Sequence, residues 1–186
     1  MKYTRQTQLT LSATALLMLS GHAWSAGHAD IQFSGSVSST TCDLGVEING
    51  ASSNSLSLGT VAPGATGTAK SFALKLADRT QTGCSALTAA TPTVSTATIT
   101  WSGASLGTTG IANQATGSTA ATGAVVTLKA VNATVANQGI TSGQNTSTFT
   151  VTNLTGSTGA KFEAALVGGS VAGAYSSSLA FTVSYS

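Results

Sequence analysis

Charged residues are scarce in this sequence. Of its 186 residues only 6% are Asp, Glu, Lys or Arg, with 7 basic against 5 acidic side chains. Disordered chains combine high charge with few apolar residues, whereas 41% of this chain is hydrophobic. Nucleic-acid binding requires a basic surface, and a net charge of +2 does not supply one. We therefore expect one folded domain that does not bind nucleic acid.

Residues that carry acid–base or metal chemistry are equally rare. The 2 histidines, His22 and His28, lie near the N-terminus, so a Ser/His/Asp arrangement would depend on His28. No Gly-rich segment has the Gly-Lys-Ser/Thr sequence of a phosphate-binding loop. Asp43 and Glu47 adjoin the end of a predicted strand, where solvated polar side chains are common. The sequence therefore predicts no enzyme, no metal site and no cofactor.

The N-terminal segment has the pattern of a secretory signal peptide. Lys2 and Arg5 precede an uncharged apolar run over residues 9–19, and small residues follow it. The run is too short to span a bilayer, which takes about 20 residues. We predict a signal peptide over residues 1–25, with cleavage between residues 23 and 29. Its removal leaves five basic and five acidic residues, so a partner held by charge is not expected.

The chain has 2 cysteines, Cys42 and Cys84, and both follow the predicted signal peptide. An exported chain enters an oxidising compartment, where such a pair forms a disulfide. A metal or redox pair would need CxxC spacing or nearby histidines, and the sequence has neither. We therefore predict a disulfide between Cys42 and Cys84.

Alternation with a period of two runs through the rest of the chain, and helical periodicity is missing. Apolar residues alternate with Ser, Thr and other polar residues, as in half-buried strands, and Gly-containing turn pairs separate the runs. The pattern predicts an all-β sandwich or barrel, with residues 102–123 as a low-complexity surface loop holding at most one short strand. The alternating positions include Ile31, Phe33, Gly35, Val37, Phe72, Leu74, Leu76, Ala97, Ile99, Trp101, Leu179, Phe181, Val183 and Tyr185.

A β-protein with so few charges has few means of protecting its sheet edges, because charged side chains normally block edge pairing. Either the edges pair with another chain or the protein aggregates. This conflict is the first indication of function, since it favours a protein that binds the strand of another chain.

Several motifs occur in a fixed order along the chain. Gly35 lies seven residues before Cys42, and a Leu-Gly-Thr-Val motif occupies residues 58–61. An alternating Phe/Leu strand then leads to Cys84, and the chain ends in AFTVSYS with Tyr185 next to last. Together with the signal peptide, this order resembles the type 1 pilin family, the major-subunit class of chaperone–usher fimbriae. The resemblance covers essentially the whole mature chain.

The resemblance implies an incomplete immunoglobulin-like β-sandwich that is completed by a donor strand from a neighbouring subunit. Residues 39–186 would form the pilin domain, and residues 26–38 would form the N-terminal donor-strand extension. The residues of the donor strand would be Ala29, Ile31, Phe33, Gly35 and Val37. Its apolar side chains would enter pockets of the groove, and Gly35 would lie where a side chain would collide with the groove floor.

The resemblance also implies a set of partners and a location. A periplasmic chaperone would deliver the subunit to an outer-membrane usher, and identical or related pilin subunits would then polymerise at the cell surface. The chaperone would contact the groove edge formed by the C-terminal strand, at Leu179, Phe181, Val183 and Tyr185. The implied function is that of a structural subunit of an adhesive fimbria.

Alternatives remain both for the structure of the N-terminal segment and for the function of the chain. The alternation from Ile31 to Val37 also fits an ordinary first strand that completes its own sheet, and Gly35 also fits a β-bulge. The alternative function is a minor or tip subunit that binds a host-cell receptor through exposed loops such as 102–123. A terminal tip subunit needs no donor strand, so a donor segment favours a shaft subunit.

Overall fold

The computed structural model of the protein describes residues 29–36 and 42–186. The predicted signal peptide and Val37 lie outside the described residues, and the domain boundaries near residues 25 and 38 stay predictions. Among the described residues, no helix is long and apolar enough to cross a bilayer. The strands are β1 (Ala29–Ser36), β2 (Leu44–Ile48), β3 (Ala51–Ser52), β4 (Ser55–Gly59), β5 (Lys70–Leu76), β6 (Thr96–Ser102), β7 (Ile111–Ala112), β8 (Val125–Ala130), β9 (Gln138–Ile140), β10 (Thr146–Thr150), β11 (Ala160–Val167) and β12 (Tyr175–Tyr185).

The strands form two sheets that pack face to face, so the all-β, immunoglobulin-like sandwich is confirmed. The first sheet has the order β10-β6-β12-β1-β4. The second has the order β3-β2-β5-β11-β8-β7, with β9 pairing with β8. The alternation seen in the sequence directs apolar side chains into the space between the sheets and Ser, Thr or charged side chains outward.

An aromatic cluster occupies the centre of the sandwich. Trp101 of β6 is fully buried and meets the rings of Phe162 and Phe181 at centroid distances of 5.2 and 5.5 Å. Phe72 of β5 stacks on Phe162 at 5.4 Å. Such pairs contribute about 0.5–1.5 kcal/mol beyond the burial of their area. The cluster therefore ties strands of both sheets together, and Phe33 of β1 is part of it.

The predicted disulfide is present and joins Cys42 to Cys84. Cys84 ends a 3-10 helix, Thr82–Cys84, which leads into the one-turn helix α1 (Ser85–Thr88). A second short helix, α2 (Val151–Thr155), follows β10, and the sequence periodicity predicted neither helix. Both cysteines are buried with Leu87 and Val151 in a small cluster separate from the main core. The disulfide thus links the chain just before β2 to the loop that follows β5.

Candidate functional site

The N-terminal strand β1 lies inside the first sheet, between β12 and β4. It pairs with β12 in the parallel direction, from Ala29 beside Tyr175 to Ser36 beside Thr182. On its other side it pairs with β4 in the antiparallel direction. In a single chain, the segment predicted to be a donor strand therefore completes the chain's own sheet. Donation of this strand to a neighbouring subunit remains a prediction.

The inward side chains of β1 fill a groove in the core. Ala29, Ile31 and Phe33 are 1%, 0% and 4% exposed. The ring of Phe33 stacks on Phe72 at 4.5 Å and approaches Trp101 at 5.7 Å. Burying a large apolar side chain stabilises by roughly 1.5–3 kcal/mol, so Ile31 and Phe33 hold the strand in place. Gly35 pairs with Phe181 in the ladder, which places it on the groove beside the C-terminal strand.

The predicted groove-edge residues lie on β12, next to β1. Leu179, Phe181 and Val183 are buried, and Tyr185 is half-buried. The hydroxyl of Tyr185 donates a hydrogen bond to the carbonyl oxygen of Cys42, at 2.9 Å. Burial, aided by the negative charge of Asp43, raises the pKa of Tyr185 to about 12. The structure thus places the described residues of both predicted sets on adjacent strands, and a chaperone contact at β12 stays a prediction.

A cavity of about 310 Å³ opens at the end of the groove where β1 begins. Its walls include Ala29, Leu166, Val171 and Tyr175. Close backbone contacts build the rim, since a Cβ at Gly169 would lie 1.9 Å from the carbonyl oxygen of Thr122. Glycine is therefore required there, because the backbones of residues 122 and 169 approach each other closely at the rim. With β1 in place, this cavity is apolar space in the groove that no side chain fills.

Residues 102–123 were predicted to be a surface loop, and part of this segment lies against β12. Ile111–Ala112 form the short strand β7. The next two residues, Asn113 and Gln114, bind the backbone of β12 at Ser176 and Ser178. Sequence reasoning missed both residues, because their partners lie 63 and 64 positions away along the chain.

Comparisons with known proteins identify the family. No family model matches the chain. The F107 fimbrial protein of Escherichia coli is 38% identical over 175 residues, which cover 94% of this chain and 96% of that protein. The chain belongs to the fimbrial protein family. The K99 fimbrial protein of Escherichia coli is 32% identical over 169 residues, which cover 87% of this chain and 88% of that protein.

Membership of this family confirms two expectations from the sequence. Fimbrial proteins are structural subunits and not enzymes, in agreement with the scarcity of acid–base residues. A fimbrial subunit assembles with related subunits, which agrees with the argument from unprotected sheet edges. The groove that β1 occupies is therefore the candidate functional site of this fimbrial protein.

Proposed function

We propose that this fimbrial protein is a shaft subunit that polymerises by donor-strand exchange. In this mechanism β1 of one subunit lies between β12 and β4 of the next, which is a case of β-augmentation. A periplasmic chaperone would fill the groove first, and an outer-membrane usher would receive the chaperone–subunit complex. One observation carries the proposal: the buried side chains of Ile31 and Phe33 lie on an N-terminal strand whose covalent connection to β2 runs through residues 37–41.

The length of this connection determines how β1 can lie in its own groove. Ser36 pairs with Thr182, and Cys42 is hydrogen-bonded to Tyr185, so the connection begins and ends near the same end of β12. An antiparallel β1 with Phe33 still beside Leu179 would put Ser36 beside Ser176, nine residues or roughly 30 Å from Tyr185. The six peptide steps from Ser36 to Cys42 span at most about 22 Å. A subunit's own strand is therefore restricted to the parallel direction.

The strand of a neighbouring subunit is free of this restriction. Antiparallel pairs are slightly more stable per residue than parallel pairs. Reversal would make the ladder with β12, which has eight residue pairs, antiparallel, and the ladder with β4, which has four, parallel. Because the longer ladder gains, the balance favours a donor that is antiparallel to β12. If Phe33 stays beside Leu179, reversal of the strand places Val37 beside Tyr175, at the cavity of about 310 Å³. Val37 would then fill apolar space that β1 leaves open in the single chain, which supports exchange as the favourable direction.

A donor strand also supports an internal position in the fibre. A tip subunit accepts a strand and gives none, whereas a shaft subunit must do both. The buried residues of β1 provide the strand to give, and the groove between β12 and β4 provides the site that accepts one. The proposed location is therefore the fimbrial shaft at the cell surface, reached by export through the periplasm.

The test uses the full chain expressed with its chaperone and usher. Phe33→Arg would place a charge in the core of the accepting subunit, so we expect no fibres by electron microscopy and no ladder on unboiled gels. The variant should still accept a strand. When mixed with wild-type subunits, it should therefore be found only at one fibre end, as a subunit that accepts a strand and gives none.

Gln32→Arg is the matched control, because Gln32 is exposed on the opposite face of β1. It adds the same charge to the same strand and should leave fibre yield within about twofold of wild type. Fibres of normal length from Phe33→Arg subunits would rule out donation by β1.

A further inference from the structure

The two halves of β12 have different strand partners. Strand β6 pairs with residues Ala180 to Tyr185 only. Within the described part of the chain, the first half of β12, from Tyr175 to Leu179, has β1 as its one strand partner. If β1 is exchanged, this half of the strand therefore loses the partner on that side.

On its other side, the first half of β12 is held by side chains and loop backbone. The amide N–H of Ser176 donates to Oδ1 of Asn113 at 3.0 Å, and its carbonyl accepts from the N–H of Gln114 at 2.8 Å. The N–H of Ser178 donates to Oε1 of Gln114 at 2.9 Å, and its carbonyl accepts from Oγ of Ser105 at 3.0 Å. These three residues, Ser105, Asn113 and Gln114, are called the β12 clamp.

The β12 clamp is anchored to parts of the molecule that do not include β1. The amide of Asn113 also donates to the carbonyl oxygens of Ala121 and Ala174, at 3.0 and 2.8 Å. Its Oδ1 additionally accepts from the N–H of Ala115 at 2.9 Å. The preceding strand β7 pairs with β8 in the second sheet. The clamp therefore connects the first half of β12 to the opposite sheet, and its bonds do not depend on which strand fills the groove.

The β12 clamp adjoins the end of the groove that contains the cavity. Tyr175 lines that cavity, and its buried hydroxyl donates to the carbonyl oxygen of Ile111 at 2.9 Å, two residues before Asn113. An antiparallel donor would bring Val37 to this end. The clamp therefore holds the part of β12 with which the end of an incoming donor strand would pair.

We propose that Ser105, Asn113 and Gln114 are positioning residues for strand exchange, which hold the first half of β12 extended while one donor strand replaces another. A strand that loses its neighbours on both sides exposes unpaired backbone groups and regains conformational freedom. With one side satisfied by the clamp, the incoming strand meets a preorganised edge, and less ordering opposes its binding. The proposal rests on donor-strand exchange as the proposed function, and the partner is the N-terminal strand of a second copy.

The test measures strand uptake by the full mature chain. The probe is a fluorescent peptide with the sequence of residues 29–37, added in excess, and the second-order rate constant of its incorporation is followed by anisotropy. We expect Gln114→Ala to lower this rate constant about tenfold, the effect of losing one or two net hydrogen bonds. Hydrogen exchange of the β2 and β5 amides should change less than about threefold, because the clamp bonds described above do not involve these strands of the second sheet.

Two variants complete the design. Gln114→Glu keeps an acceptor oxygen for the N–H of Ser178 and should restore the rate to within about threefold of wild type. Asn132→Ala is the matched control, since Asn132 binds the carbonyl of Gly159 and the N–H of Lys161 in the second sheet, away from the groove. Its uptake rate should equal that of wild type. If Gln114→Ala does not fold, Ser105→Ala removes a single clamp bond and provides the same comparison.

The outcomes separate this proposal from the proposed function. Equal or faster uptake by Gln114→Ala, with normal uptake by wild type, overturns the positioning role alone. A slower uptake shared by Asn132→Ala also overturns it, because the effect would then be general destabilisation. A wild-type chain that takes up no peptide overturns strand exchange, and the role of the clamp with it.

Discussion

Phe33 is the residue that connects β1 most directly to the core of the sandwich. It is 4% exposed, stacks on Phe72 and approaches Trp101, so it connects β1 to the aromatic cluster that holds both sheets. Alternation in the sequence was sufficient to predict that Phe33 faces a core. It could not indicate whether that core belongs to the same chain or to a neighbour, because the apolar pattern is identical in both cases.

Tyr185 should make the stability of the protein pH-dependent in the alkaline range. Its pKa in the folded chain is raised to about 12, above the usual value near 10, so folding favours the neutral phenol. This contribution to stability is fully present below pH 10 and is lost as the pH rises toward 12. Burial raises the pKa of Tyr175 as well, with the same sign.

We therefore expect the free energy of unfolding in urea to fall between pH 10 and pH 12. Tyr185→Phe should lower stability at pH 8, since the bond to the Cys42 carbonyl is lost, and should make the pH dependence shallower without abolishing it. Phenolate absorption at 295 nm gives the titration independently. An unchanged slope in Tyr185→Phe would show that Tyr185 is not responsible.

At the scale of elements, β12 is the central strand of the first sheet, between β6 and β1. Its second half pairs with β6, while its first half pairs with β1 and is held by the β12 clamp. The long alternating run at the end of the sequence predicted a C-terminal strand with Leu179, Phe181 and Val183 on one face. The division into two halves depends on where β6 ends, which only the packed sheet determines.

The disulfide stabilises a second element, the loop between β5 and β6. It closes a separation of 42 residues, for which the chain-entropy model gives roughly 4 kcal/mol. We expect Cys42→Ala with Cys84→Ala to lower the free energy of unfolding by about 2–4 kcal/mol in urea melts. Dithiothreitol should destabilise the wild type by a similar amount and leave the double variant unchanged. Equal melts of both proteins under oxidising conditions would contradict this.

At the scale of the whole molecule, the edges of the first sheet remain without charge. The edge strands β10 and β4 have the sequences TSTFT and SLSLG, in which no residue is charged. The ion pair of Lys129 with Glu163 lies on the second sheet instead. The sheet that contains β1 thus keeps the features that suit strand pairing, whereas the second sheet carries charged groups that keep it solvated.

The restriction on β1 leads to a test of the whole assembly. An insertion of about twelve Gly and Ser residues between Ser36 and Cys42 would let β1 turn around in its own groove. We expect such a subunit to become a more stable monomer that forms few or no fibres, seen by gel filtration and unboiled gels. The same insertion in the exposed turn at Ser142-Gly143 is the control and should preserve assembly. Normal fibre formation by the Ser36–Cys42 insertion would contradict the proposed advantage of an antiparallel donor.

Much of the fold could be predicted from local patterns, and the site only in part. Trp101, Phe72 and Ile31 are buried as their alternation predicts, because strand geometry alone sends alternate residues to opposite faces. Asn113 and Gln114 lie in a low-complexity stretch with no such pattern. Their role depends on hydrogen bonds to residues more than sixty positions away, and local sequence carries no signal for contacts of that range.

Strand alternation and turn pairs determined by themselves that this chain is an all-β sandwich or barrel, and the near absence of charge predicted its unprotected edges. The cysteine pair determined its disulfide in the same way, since both inferences depend only on residue type and spacing. The tertiary structure decided the direction of β1, the partners of each half of β12 and the cavity at the groove end. These features follow from which distant segments meet and from the short connection between Ser36 and Cys42, which leaves β1 a single direction in its own groove.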